Sequence, residues 1–217
     1  MKKQNEKVRK FFDEYAAKFD ALYGEDVRAN LFNRIFRASV YERFRLAATD
    51  AERLCEGFSV LDVGTGPGRY LSLMAPKAGR LVGVDLSDGM LGPARARAEL
   101  EGYTDKLELL AGDFLNVDFG EEFDLILAFG YFDYVFEPAA HFRRMNDLCR
   151  GILLATFPKR WHPLTIQRKI RYTLNRCPVR FYSLSNVNGY IATTDYAEAD
   201  VIDIGREYYV RMNKGVY

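Results

Sequence analysis

Apolar positions along the chain follow two rhythms. From Phe11 to Tyr23 the residues Phe11, Phe12, Tyr15, Phe19, Leu22 and Tyr23 recur at the spacing of one helical face. From about residue 58 onward, short apolar runs bounded by turn residues take over. The first rhythm predicts helices over about 4–23 and 26–55. The second predicts strands over 58–63, 80–85, 107–112, 123–128 and 151–156, with helices over 67–77, 87–101, 138–149 and 163–176 between or after them. Ser87 suits an N-cap and Pro163 a first helical turn. A helix around 185–197 precedes runs at 201–204 and 207–212, which are too close for a crossover helix and therefore pair as an antiparallel hairpin. Alternating strands and helices imply an α/β fold, a parallel sheet covered on both faces with its ligands at the carboxyl ends of the strands.

Composition narrows this picture. With 217 residues and 48% hydrophobic content the chain suits one well-buried domain, residues 1–55 forming a helical cap and 56–217 the core. No apolar run approaches the roughly 20 residues of a membrane span, and the start Met1-Lys2-Lys3-Gln4-Asn5-Glu6-Lys7 is too polar for a secretory signal, so a cytoplasmic protein is expected. Cys55, Cys149 and Cys177 form no C-x-x-C pair and read as buried thiols, not a disulfide framework or zinc site. His141 and His162 are the only histidines, and no metal is expected.

The net charge of +1 hides an uneven distribution. Leu148 to Thr194 contains no acid and eight cations, among them Lys159, Arg160, Arg168 and Arg180, which leaves 23 cations against all 30 acids elsewhere. Such a segment suits an anionic substrate or a membrane surface, or is simply the solvated face of a helix. Nucleic acid is disfavoured, since there is no long basic tail and no RNA-binding module.

Candidate chemistry concentrates where the first predicted strand ends. Ser59-Val60-Leu61-Asp62-Val63-Gly64-Thr65-Gly66-Pro67-Gly68-Arg69-Tyr70 runs from strand through a glycine-spaced turn into a helix, the arrangement of a nucleotide-type cofactor loop. The next strand ends at Asp85, positioned to accept hydrogen bonds from ribose hydroxyls. Leu107 to Ala111 leads to Gly112, Asp113 and Phe114, an acid and an aromatic suited to an adenine amino group and ring face, and Phe123 to Phe129 supplies a fourth strand. The third glycine falls at Gly68, one residue earlier than the NAD-binding spacing, and no hydride-transfer constellation accompanies it.

These four ordered motifs resemble those of the class I S-adenosylmethionine-dependent methyltransferases, over roughly residues 55–160. The resemblance implies a Rossmann-like, seven-stranded, mostly parallel sheet with a C-terminal antiparallel hairpin and an N-terminal helical cap. It implies S-adenosylmethionine as cofactor: Asp62 and Gly64 at the methionine end, Asp85 on ribose, Asp113 on the adenine amine, Leu86 and Phe114 around the ring, and Ala128 and Phe129 under the sulfonium. Thr65, Gly66, Gly68, Met90 and Gly112 complete the set. Similar aromatic-rich helices fold over the donor as a lid, which would bring Tyr15, Phe19 and Tyr23 to it, unless that stripe only packs on the sheet. Ile152 to Pro178 is similar to magnesium-protoporphyrin carboxyl methyltransferases, and quinone-pathway O-methyltransferases have a comparable core.

The acceptor side is less patterned. Arg34 and Arg37 either bind an anion or stand as exposed helix positions, and Tyr131, Lys159 and Arg160 are further candidates for holding the substrate. Related small-molecule enzymes often have a histidine where Tyr134 stands; here Tyr134 is expected to orient the nucleophile, with Asp133 or His162 taking a proton if the acceptor is a hydroxyl. A sulfonium methyl is already electrophilic, so alignment and water exclusion matter more than a base. The expected activity is methyl transfer to a small, anionic metabolite, at oxygen more than nitrogen. A phospholipid or lipid-carrier methyltransferase at a membrane surface and a non-catalytic cofactor-binding relative are the alternatives, and the oligomeric state stays open.

Overall fold

The computed structural model describes residues 2–19, 31–162 and 177–215, and of these the side chains of 2–3, 15–19 and 31–38 lie outside what is described. Two helices come first, α1 (Lys2–Phe19) and α2 (Leu31–Ala51). Then follow β1 (Ser59–Val63), α3 (Arg69–Met74), β2 (Arg80–Asp85), α4 (Asp88–Glu101), a 3₁₀ turn (Thr104–Lys106), β3 (Leu107–Ala111) and β4 (Phe123–Ala128). The chain continues with α5 (Pro138–Leu148), β5 (Cys149–Pro158), α6 (Leu184–Ile191), β6 (Glu198–Asp203) and β7 (Glu207–Asn213). The expected helix over 163–176 lies outside the described residues.

Seven strands form one sheet in the order β3-β2-β1-β4-β5-β7-β6. The first five are mutually parallel; β7 runs antiparallel to both β5 and β6, as the closely spaced terminal runs require. Strand order reverses between β1 and β4, the switch point at which sheets of this kind bind their ligands.

Each central strand is apolar on both sides because each is covered on both sides. Val60, Leu125, Leu127, Ile152 and Leu154 face one core, which takes in Leu46 and Ala47 of α2 with Tyr70 and Leu71 of α3. Leu61, Val63, Ile126, Ala128, Leu153 and Ala155 face the other, with Phe142 and Met145 of α5 and Val187 of α6. Fully buried rings such as Phe123, Phe142 and Phe157 contribute on the order of 2–3 kcal/mol each relative to exposure.

Several expectations are corrected: α2 ends at Ala51 short of 55, α3 spans only Arg69–Met74 of the expected 67–77, and Cys55, read as buried, is exposed. The helix predicted to reach residue 197 stops at Ile191, where Thr193 Oγ1 donates to the Tyr190 carbonyl (2.7 Å) and Thr194 Oγ1 to that of Ile191 (2.6 Å), so side chains take acceptors that another helical turn would use. β6 accordingly begins at Glu198, three residues before its apolar run, because Glu198 through Asp200 pair with Asn213 through Arg211. No described helix is long and apolar enough to cross a membrane.

Candidate functional site

The glycine loop is fastened to the sheet at its start. The amides of Gly64 and Thr65 both donate to the Val84 carbonyl of β2, at 2.8 and 3.1 Å. Gly64 has φ of 74°, and a Cβ there would lie 2.8 Å from Cδ2 of Tyr131, so the Tyr131 ring lies directly on the loop backbone. Gly68, also at positive φ, has Ala94 of α4 where a side chain would be, 3.1 Å from the Cβ position. Its absent side chain therefore lets α3 pack closely on α4.

Three acids stand at the ends of three neighbouring strands. Asp62 of β1 is 2% exposed and accepts from Thr65 Oγ1 at 2.9 Å. Burial raises its carboxyl to about 7, opposed by the Thr65 bond and by the Arg43 charge and reinforced by Asp85. Asp85 of β2 accepts the Gly66 amide on Oδ2 and the Ser87 amide on Oδ1, both at 2.9 Å. Burial raises it to about 6 in spite of these bonds, and Asp13 adds to the rise. Asp113, just beyond β3, accepts the Leu115 amide on Oδ1 (3.1 Å) and Asn5 Nδ2 on Oδ2 (2.8 Å). Gly112 joins the second and third positions by donating to the Asp85 carbonyl at 2.8 Å.

Helix α1 crosses over these ends. Val8 is buried beside Cys177, and Leu86, Phe11, Phe12 and Tyr134 pack around them. The rings of Phe12 and Tyr134 meet edge to face at 5.0 Å. Asp13 Oδ1 accepts from Ser87 Oγ (2.5 Å) and the Gly89 amide (3.4 Å), while Ser87 Oγ also caps α4 by accepting from the Met90 amide (3.2 Å). Met90 is buried with its Cε against Gly66.

The aromatic walls sit deeper than expected. Phe114 is buried against Phe119, Tyr131 and His141, with the Arg144 guanidinium 5.5 Å from its ring centre. Ala128 is fully buried in the core on the α5 side. Phe129 turns to the other face, stacked on Tyr209 (5.6 Å) and tilted against Tyr70 (4.5 Å).

The Tyr131 hydroxyl meets Nδ1 of His141 at 2.7 Å. Burial lowers His141 to about 4, so the imidazole is neutral and accepts, and burial holds the Tyr131 phenol well above its ordinary value, so the phenol donates. Asp133 is buried at 4% exposure; it lies near Gly130 and helps burial raise the Cys177 thiol to about 12.

Lys159 and His162 lie at the end of β5, beside the β6–β7 turn. Lys159 Nζ bonds Asp203 Oδ2 (2.5 Å) and the Gly205 carbonyl (3.0 Å), tying the end of β5 to the β6–β7 turn. His162 is lowered by partial burial and then by the charges of Arg206 and Lys159 at the same turn. Arg160 is exposed, its amide on the Tyr182 carbonyl at 2.8 Å. Lys159 thus also has a structural part, since its charge is matched by Asp203 of the hairpin. The side chains of Tyr15, Tyr23, Arg34 and Arg37 lie outside the described residues.

Three groups had no sequence signal. Arg43 is a buried arginine on α2 whose Nη1 reaches Glu207 Oε2 at 3.3 Å and whose guanidinium lies 5.6 Å from the Tyr70 ring centre. Asn5 and Asp13 read only as polar positions of a terminal helix.

Residues 60–151, the stretch from β1 into β5, match the family model described as a methyltransferase domain. Over that stretch the chain is similar to methyltransferases. Among curated proteins it is 29% identical to demethylmenaquinone methyltransferase of Symbiobacterium thermophilum, over 52% of this chain and 42% of that protein. It is 31% identical to ubiquinone biosynthesis O-methyltransferase of Ruegeria pomeroyi over 46% of this chain and 40% of the relative. The chain spans less than half the length of these relatives. Among solved structures, magnesium protoporphyrin IX methyltransferase of Synechocystis with bound S-adenosylhomocysteine superimposes with a TM-score of 0.76 at 16% identity, over 96% of this chain and 98% of that one. The chain therefore has the Rossmann-like, seven-stranded sheet with a C-terminal antiparallel hairpin that the resemblance implies.

Proposed function

We propose that this chain transfers a methyl group from S-adenosylmethionine to a small, anionic acceptor, at oxygen in preference to nitrogen. The observation that carries the reading is the set of three carboxylates, Asp62, Asp85 and Asp113, at the ends of β1, β2 and β3 around a loop whose glycines, Gly64, Gly66 and Gly68, all have positive φ. An ammonium, a ribose diol and an aromatic amine are the donors such a set matches, in the order methionine, ribose, adenine. When bound, the cofactor supplies an electrophilic methyl on sulfur.

The chain's own residues then have separate tasks. Asp62, held by Thr65, faces the methionine ammonium, and its buried carboxylate gains most from a cationic partner. Asp85 takes the ribose hydroxyls. Leu86, under α1, covers the adenine, and Phe114 backs its pocket. Tyr131 donates its proton to His141 and so braces the loop, and Tyr134 orients the nucleophile while Phe12 shields it from water. A carboxylate or acidic phenol needs no base here, in keeping with a buried Asp133 and a His162 drawn to the hairpin turn.

Incubation with S-adenosylmethionine labelled in its methyl group and a panel of carboxylates, phenols and matched amines tests this. Label entering the anionic oxygen nucleophiles is expected; label entering only amines, or none at all, would contradict it. A second reading, an acceptor held at a membrane surface, has one observation in its favour: Trp161 is 85% exposed beside exposed Arg160. Salt-sensitive cosedimentation with anionic vesicles would support it.

A further inference from the structure

Helix α1 does more than cover apolar groups, because one of its polar side chains is joined to the acid that ends the third strand. Asn5 Nδ2 donates to Asp113 Oδ2 at 2.8 Å across 108 residues of sequence. The helix is independently held at its other end by Asp13 on Ser87 and Gly89, and in the middle by Val8 beside Cys177. Docking of α1 thus has its own anchors, and the Asn5 contact is an addition at one chemical position.

Chemistry fixes how the Asn5 amide is turned. The NH₂ of Asn5 faces Asp113, so its carbonyl oxygen, on the same carbon, is left as an acceptor. Asp113 Oδ1 takes the Leu115 amide at 3.1 Å, which orients the carboxylate from its own loop. Two acceptors from two different elements therefore stand side by side, and no side-chain donor other than the Asn5 amide bonds the Asp113 carboxylate among the described residues. An exocyclic aromatic amine carries two N–H groups and matches this pair. A ring carbonyl would meet oxygen on both sides.

We infer that Asn5 is a specificity-determining residue of the donor site, its carbonyl accepting one hydrogen of a purine 6-amino group while Asp113 accepts the other. The inference rests on the S-adenosylmethionine reading above. It assigns α1 a part in choosing the base, so the helix discriminates between 6-amino and 6-oxo purines as well as excluding water.

Calorimetric titration with S-adenosylhomocysteine and with its 6-oxo counterpart, S-inosylhomocysteine, tests it on the wild type, Asn5→Ala and Asp13→Ala. The wild type should favour the amino purine by about 100-fold. Asn5→Ala should lose about tenfold for S-adenosylhomocysteine while staying within about twofold for S-inosylhomocysteine, so that the ratio shrinks. Asp13→Ala, which loosens the helix away from the base, should weaken both ligands alike and leave the ratio intact. If Asn5→Ala changes both affinities equally, or neither, Asn5 serves only the docking of α1 and the inference is overturned. Wild-type protein that binds neither ligand would instead overturn the donor-site reading itself.

Discussion

Two aspartates on neighbouring central strands, Asp124 at the amino end of β4 and Asp62 near the carboxyl end of β1, have opposite surroundings. Asp124 receives the amide and hydroxyl of Ser59 on Oδ2 (2.8 and 2.9 Å) and both prongs of Arg150 (2.7 and 2.9 Å). Asp62 is more deeply buried and accepts a hydroxyl from Thr65, with burial pushing it to about 7. At the amino end the carboxylate is matched and fastens β1 to β4. At the carboxyl end the fold leaves the charge undercompensated, as buried groups awaiting a ligand are.

The sharpest way to separate these ends is to neutralise each. Asp62→Asn should lower affinity for S-adenosylhomocysteine by about 100-fold, because the ammonium loses its charged partner, while the unliganded protein becomes more stable at pH 8. Calorimetry and thermal denaturation on the same variant check both halves. Asp124→Asn should do the reverse. About 2 kcal/mol of stability is lost, chiefly from the Ser59 donors, since Arg150 is half exposed and adds little, and ligand affinity stays within about twofold.

The comparison also predicts a pH dependence. Asp62 and Asp85 lie at about 7 and about 6 in the folded protein, above the ordinary aspartate value of 3.8. The folded state thus holds protons that the unfolded chain releases. Their protonated forms contribute stability that is full below about pH 4 and is lost as pH rises through 6 and 7. Affinity for a cationic ligand should move the opposite way, tightening from pH 5 to 8 with proton release near pH 6.5. Titrations in buffers of different ionisation enthalpy measure that release, which Asp62→Asn should diminish.

The smallest effect is expected at the Tyr131–His141 pair. Tyr131→Phe removes one neutral hydrogen bond and should cost about 1 kcal/mol in denaturant unfolding. Donor affinity should change by less than about threefold, leaving any larger defect to acceptor turnover.

How much of this could be read in advance differs between core and lid. The strands at 80–85 and 123–128 match residue for residue, because the runs Leu81–Val84 and Leu125–Ala128 beside a charged residue have few alternatives when both faces are covered. β6 was legible only from Val201, since Glu198, Ala199 and Asp200 lie exposed on an edge strand where no alternation is required. The acids at strand ends were visible because residue type and topological position coincide there. Asn5, Arg43 and His141 were not, since whether a polar position on α1, α2 or α5 faces solvent or the site depends on how the helix docks. Tyr131 and His141 meet across a loop and a helical turn, a juxtaposition that carries no periodic signature.

Titration of the purified chain with S-adenosylhomocysteine, with NAD as the control ligand, tests the central claim most directly. The claim predicts affinity for S-adenosylhomocysteine in the micromolar range, about 100-fold weaker in Asp62→Asn and unchanged in Asp124→Asn, and no heat from NAD. Binding of NAD instead, or equal loss in the two variants, would contradict the division between a fastened amino end and a ligand-binding carboxyl end.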